Sequence, residues 1–179
     1  MITAEERQTA LKLLTRTRQN LLDAVAGLTD GQAKWKPAPQ RWSILEYVEH
    51  LAISDVELIA LVRRTLETPA TPETPEERAA RETAIRQTTI PRGANSAPER
   101  LRPKARFATL DEAVQAFLIA REQTLAFAET TQDDLRSHFA PHTVLGPLDG
   151  YQWLVGNARH VETHIAHISE IREMAGFPR

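Results

Sequence analysis

The sequence predicts an all-α protein, a four-helix bundle with one long crossover connection, on three observations. Four segments repeat apolar residues at spacings of three, four and seven. Three of them open on a hydroxyl residue followed three positions later by glutamate, the pattern of a capping box. Nowhere do branched or aromatic residues alternate over a run long enough to mark a strand.

Thr3 with Glu6 opens the first helix, and the stripe Leu11, Leu14, Leu21, Val25 and Leu28 carries it over about residues 4–28. The second starts after Ser43 and Glu46, near Ile44, and runs to about Leu66. Trp42, just before its cap, and Tyr47, at its fourth position, suit a hydrophobic staple. Thr109 with Glu112 begins the third, whose stripe includes Leu110, Val114, Phe117, Leu125 and Ala128 and fades near "TTQDD". A fourth begins near Tyr151 after "GPLDG", carries Leu154, Ala158, Val161, Ile165 and Ile168, and stops at Gly176 and Pro178. Four amphipathic helices with one apolar stripe each bury it by packing together, so residues 1–179 are expected to form a single domain.

Between the second and third helices lies a proline-rich, polar stretch, residues 67–108, too long for an ordinary helix connection. It reads as a crossover or a flap. From Arg78 to Arg106 it holds eight arginines and lysines against two glutamates, which fits either a solvated loop or a basic lid over an anionic ligand.

Composition narrows the function. A net charge of -2 offers no field for nucleic acid. With no cysteine, thiolate metal sites and cysteine nucleophiles are excluded, so a metal would need histidine and oxygen ligands. The opening "MITAEERQTA" lacks the basic flank and apolar core of a signal peptide, and no apolar run approaches the roughly 20 residues that span a bilayer. A cytoplasmic protein without membrane contact is expected.

Three of the six histidines fall in "RHVETHIAHISEI". Positions four apart share a helical face about 6 Å apart along the axis, so His160 and His164 can converge on one ion. His164 and His167, three apart, can do so too, whereas His160 and His167 lie about 10 Å apart and cannot. All three flank the stripe centred on Val161, and His50 stands similarly on the second helix, beside Leu51. His138 and His142 read as loop residues. Glu46 belongs to a cap, while Glu49 and His167 are candidates for a general base only by nearness in sequence. No Glu-x-x-His, His-Glu-x-x-His, phosphate-binding glycine loop or serine-nucleophile elbow occurs.

Together, "WSILEYVEHLA", "APERLRPKARFATLDEAVQAFLIAREQTL", "LGPLDGYQWL" and "HVETHIAHISEI" resemble the DinB-like superfamily, close to its DinB_2 branch, over nearly the whole chain and in the right order. The resemblance implies a bundle with a long crossover and a divalent metal, commonly nickel or zinc. One histidine of the second helix, here His50, and two of the last, four apart, here His160 and His164, would be its ligands. His167 stands where relatives often carry glutamine. Characterised relatives include transferases and isomerases that use low-molecular-weight thiols. The resemblance therefore implies a metal-dependent hydrolase or thiol S-transferase acting on a small molecule, with such a thiol as a second cofactor and homodimerisation open. A non-catalytic metal-binding or dimerising bundle is the competing expectation.

Arg121 falls inside the stripe of the third helix, between Phe117 and Leu125, and Asp55 inside that of the second. Buried charges need partners. Either the two pair or Arg121 snorkels to solvent, or its planar fork binds a carboxylate of the substrate beside the metal.

Overall fold

The computed structural model describes residues 1–88 and 97–179. Four long helices form the body: α1 (Ala4–Val25), α3 (Ile44–Leu66), α5 (Leu110–Thr130) and α6 (Gly150–Glu173). Shorter elements connect them: α2 (Asp30–Lys34), α4 (Pro75–Gln87), a 3₁₀ turn (Glu99–Leu101) and the antiparallel strands β1 (Phe139–His142) and β2 (Gly146–Asp149). The expected all-α bundle with a crossover between the second and third long helices is what is found. The three hydroxyl–glutamate capping boxes form as read, and α6 opens with the equivalent pair Asp149 and Gln152.

Three local expectations need correction. The first helix ends at Val25, because Gly27, with φ 72°, turns the chain before Leu28. The connection, expected as a crossover or flap outside the four helices, contains a helix of its own, α4, with no buried residue. The connector holding His138 and His142 forms a small hairpin, with His142 closing β1.

Topology follows from which ends share a core. One apolar cluster joins Leu21 and Val25 of α1, Ile44 to Ala52 of α3, Leu110 to Phe117 of α5 and Val161 to Ile171 of α6. A second joins Leu14, Leu58, Val62, Ala128, Leu154 and Ala158. Thus α3 and α5 run parallel, and α1 and α6 run opposite to both. The main interfaces are α3 with α5, α5 with α1, α1 with α6 and α6 with α3. Parallel neighbours cannot be joined by a short turn, so residues 67–109 must return the length of the bundle.

Between the two clusters each long helix contributes a buried polar residue: Thr17, Asp55, Arg121 and Asn157. Arg121, with no exposed surface, ion-pairs with Asp55 at 2.7 Å and donates to Asp55 Oδ1 at 3.0 Å and Asn157 Oδ1 at 2.8 Å. Burial pushes the Asp55 carboxyl up and the Arg121 guanidinium down, each opposed by the other's charge. At the far end a second ionic cluster fastens α4. Arg136 bonds Asp149 at 2.7 Å and Glu82 at 2.5 Å, and Arg81 bonds Glu73 at 2.6 Å and also Gln152. Among the described residues no helix is long and apolar enough to cross a membrane.

Breaking the central pair from one side isolates a buried charge, whereas replacing both partners by apolar residues does not. Arg121→Met alone should lower the unfolding free energy by about 3–5 kcal/mol, and Arg121→Met with Asp55→Leu should recover most of it. Urea denaturation at neutral pH measures both. A double variant no more stable than the single one would show that the pair does more than neutralise itself.

Candidate metal centre

His50 projects from the second turn of α3, a helix whose start is fixed by the Ser43 cap: the Glu46 amide donates to Ser43 Oγ at 3.2 Å and Glu46 accepts from the Ser43 amide at 2.8 Å. Since α3 and α6 are antiparallel neighbours, this turn faces the C-terminal half of α6. His50, His160 and His164 meet there, their ligand atoms all within 4.8 Å of one another. The Nε2 of His160 is central, 3.1 Å from that of His50 and 2.9 Å from that of His164. The rings stand edge to face, with centroids 4.5 to 5.0 Å apart.

The tautomer of His50 follows from its other nitrogen. Nδ1 lies 2.8 Å from the carbonyl oxygen of Leu101, which can only accept, so Nδ1 carries the proton and Nε2 a lone pair. A single proton on His160 Nε2 cannot serve both neighbours well, and the buried His164 Nδ1 has no hydrogen-bond partner. A cation between the three Nε2 atoms would take up all three of their lone pairs, leaving the proton of His164 on its Nδ1. The spacing is near the roughly 3.3 Å that separates nitrogens bound at about 2.0–2.1 Å around a tetrahedral ion.

Electrostatics favours the neutral rings that a cation requires. Burial, then the neighbouring imidazoles, pushes His164 down to about 2. Burial, followed by the charge of His50 and then of Arg121, pushes His160 down to about 3. His50 is lowered by burial and partly restored by its bond to Leu101.

Aromatic rings wall the cluster. Trp42 and Tyr47 make the staple contact expected of them, centroids 5.3 Å apart, and also reach the histidines. Trp42 lies 5.0 Å from the His50 ring, and Tyr47 lies 5.2 Å from that of His164 and 5.5 Å from that of His167. Their role beside the site was hidden in sequence by their role as a cap staple.

Other candidates fall elsewhere. His167 stands a turn beyond, its ring 5.5 Å from that of His164, and is not one of the three converging residues. Glu49 is 1% exposed and occupied by the amides of Lys104 and Arg106, which argues against a free base. Arg121 lies below the site with Asp55, the paired arrangement considered for it from sequence. His138 donates to the Thr68 carbonyl at 2.6 Å, and His142 packs on Trp153. Of the basic run from Arg78 to Arg106, Arg92 lies outside the described residues, and every other member is ion-paired to a carboxylate. That compensation weakens the basic-lid reading. The Leu101 carbonyl, a backbone atom, left no side-chain signal to find.

Comparison with known proteins agrees with this architecture. YuaE of Bacillus subtilis (strain 168), an uncharacterised protein, is 24% identical over 164 residues, spanning 91% of this chain and 97% of that one. YfiT from Bacillus subtilis, described as "a probable metal-dependent hydrolase with an unusual four-helix bundle topology", superposes with a TM-score of 0.64 at 19% identity, over 99% of this chain and 92% of YfiT. A conserved protein of Enterococcus faecalis superposes with a TM-score of 0.63 at 13% identity, over 96% of both chains. Identities this low establish the shared fold. The DinB_2 model, described as the DinB superfamily, matches residues 13–168, a span that includes all three histidines, and the chain therefore belongs to the DinB superfamily.

Proposed function

We propose that this protein is a metal-dependent enzyme, a hydrolase or a thiol S-transferase, whose divalent cation, nickel or zinc, is held by His50, His160 and His164. The observation that carries the reading is the convergence of three Nε2 atoms, with His50 fixed as its Nδ1–H tautomer by Leu101. Three neutral nitrogen ligands match catalytic rather than closed structural sites, which use four protein ligands. A divalent ion bound there supplies Lewis acidity, lowering the pKa of a water or thiol beside it. The protein residues contribute position and exclusion. Leu101 orients His50, and Trp42 and Tyr47 cover the flank of His50 and His164. His167, half-buried, with its ring 5.5 Å from that of His164 and outside the ligand set, is our candidate for moving a proton.

The description of YfiT supports the hydrolase branch, and the thiol-using relatives support the transferase branch. Fold alone does not choose between them. We place Arg121 as a structural counter-charge, because its Nε and Nη2 face Asp55 and Asn157.

Purified without chelator, the protein should hold about one divalent ion per chain by elemental analysis. His160→Ala should abolish binding, because both other nitrogens contact His160, and His167→Ala should spare it. Retention in His160→Ala together with loss in His167→Ala would overturn the ligand set. Activity should then divide the branches: hydrolysis of small esters and amides without added thiol marks a hydrolase, and turnover of an electrophile only with added thiol marks a transferase. Inactivity of the loaded protein in both screens would count against an enzyme.

Acid should destabilise the metal-free protein. The unfolded chain binds protons below about pH 6.5, whereas folded His160 resists until about 3 and folded His164 until about 2. The unfolded state thus binds more protons across that window, and stability falls as pH drops from about 6.5 towards 3, by about 1.4 kcal/mol per pH unit for each ring kept neutral. Urea midpoints at pH 7, 6 and 5 report this slope, which should be shallower in His160→Ala.

A further inference from the structure

Glu49 directly precedes His50, yet its carboxylate points into the crossover rather than to the metal site. It accepts the Lys104 amide at 2.7 Å, the Arg106 amide at 3.3 Å and Arg106 Nη1 at 2.9 Å. Ala105, between those amides, has φ 53°, a left-handed conformation that is unfavourable for a residue with a Cβ. Amides flanking such a residue turn to a common side, here towards one carboxylate. Arg106 Nη1 also donates to the Arg102 carbonyl at 3.2 Å, closing the segment on itself.

The same segment carries Leu101. Its 3₁₀ turn buries no residue fully, Leu101 itself being half-buried, so apolar packing holds the Leu101 carbonyl over His50 only weakly. Arg100 ties the turn to Glu57 of α3, but at 3.5 Å and with 60% and 37% of the side chains exposed, a pair of that kind contributes little. Glu49 is the buried anchor. Adjacent residues of α3 therefore grip one strap, Glu49 at residues 104–106 and His50 at residue 101.

We infer that Glu49 is a positioning residue for His50: by fastening residues 102–106 it holds the Leu101 carbonyl against Nδ1, which fixes the ring's tautomer and aims Nε2 at the other two histidines. The consequence for metal affinity rests on the three-histidine reading above; the consequence for the tautomer does not.

The test uses the full chain labelled with ¹⁵N-histidine. Long-range ¹H–¹⁵N spectra of the metal-free protein report the His50 tautomer, and a competition isotherm reports zinc affinity. Wild type should show the Nδ1–H form. Glu49→Gln retains one acceptor oxygen but turns an amide N–H₂ towards the strap, and Glu49→Ala removes both oxygens. Each should mix the two tautomers of His50 and weaken zinc binding by about 10–100-fold, the usual effect of losing an outer partner of a metal-ligating histidine. Glu57→Gln should change neither readout. A single Nδ1–H form with zinc affinity within twofold of wild type, in folded Glu49→Gln and Glu49→Ala, would overturn the inference. If wild type binds no zinc but Glu49→Gln still mixes the tautomers, the positioning role stands and the metal reading falls. Should Glu49→Ala fail to fold, Glu49→Gln and Arg106→Ala decide the matter by the same spectra, a mixed His50 tautomer in both supporting the role and an unmixed one overturning it.

Discussion

The parallel run of α3 and α5, side by side, is the constraint from which the rest of the molecule follows. Two neighbouring helices pointing the same way leave the chain at the wrong end of the bundle after α3, and residues 67–109 must carry it back. The return path is not free to wander. Arg100 meets Glu57, Leu101 meets His50, and Lys104 and Arg106 meet Glu49, so the strap descends α3 towards its N-terminus in register with the helix. A connection forced by topology thus delivers the one carbonyl that selects the tautomer of His50. The same topology places α6 antiparallel against α3, where two histidines one turn apart can face it.

Beneath this site lies the polar layer that divides the core. Thr17 and Thr124 satisfy their hydroxyls within their own helices, the former with the carbonyls of Leu13 and Leu14 and the latter with that of Ala120. Arg121, Asp55 and Asn157 instead bond across helices and bind α5, α3 and α6 at one level. Sliding α5 by a turn would set a guanidinium against hydrocarbon, and breaking a buried pair of this kind costs about 3–5 kcal/mol. The layer therefore opposes register shifts between the helices that carry the histidines. Its position is also electrically apt: Asn157 sits three residues before His160, and the arginine's charge adds to the burial that keeps His160 unprotonated.

What sequence could reveal tracks how locally each feature is encoded. The four long helices announced themselves because capping pairs and apolar stripes are contained within one element, as at Ser43, Glu46 and the run from Leu45 to Leu58. The histidine pair of α6 was legible for the same reason, since a spacing of four fixes a common face. Joining His50 to it needed the family resemblance, because the interface of α3 with α6 is a tertiary fact. The hairpin escaped notice because each strand carries a proline, Pro141 facing Pro147, and a residue without an N–H reads as a strand breaker. Helix α4 escaped because nothing in it is buried; ion pairs of Arg81 and Glu82 hold it instead of an apolar stripe. Helix α2, five residues long, is too short for periodicity to register.

Charge compensation along the crossover bears on how a ligand would be chosen. A basic run counted from the sequence suggests an anion funnel, but a field needs unpaired charge, and the described members of this run face Glu49, Glu57, Glu73, Glu82, Glu99 and Asp149. The net charge of the whole chain, -2, points the same way. Long-range steering then contributes little, and discrimination falls to contact near the three rings, where Trp42 and Tyr47 present aromatic faces rather than cations. On the proposed reading, a small molecule at that site is recognised by its shape and polarisable surface and by the atom it offers to the three nitrogens' shared centre, with its overall charge a minor factor. Binding to the folded protein should accordingly depend only weakly on ionic strength, since screening acts on separated, exposed charges far more than on groups in contact.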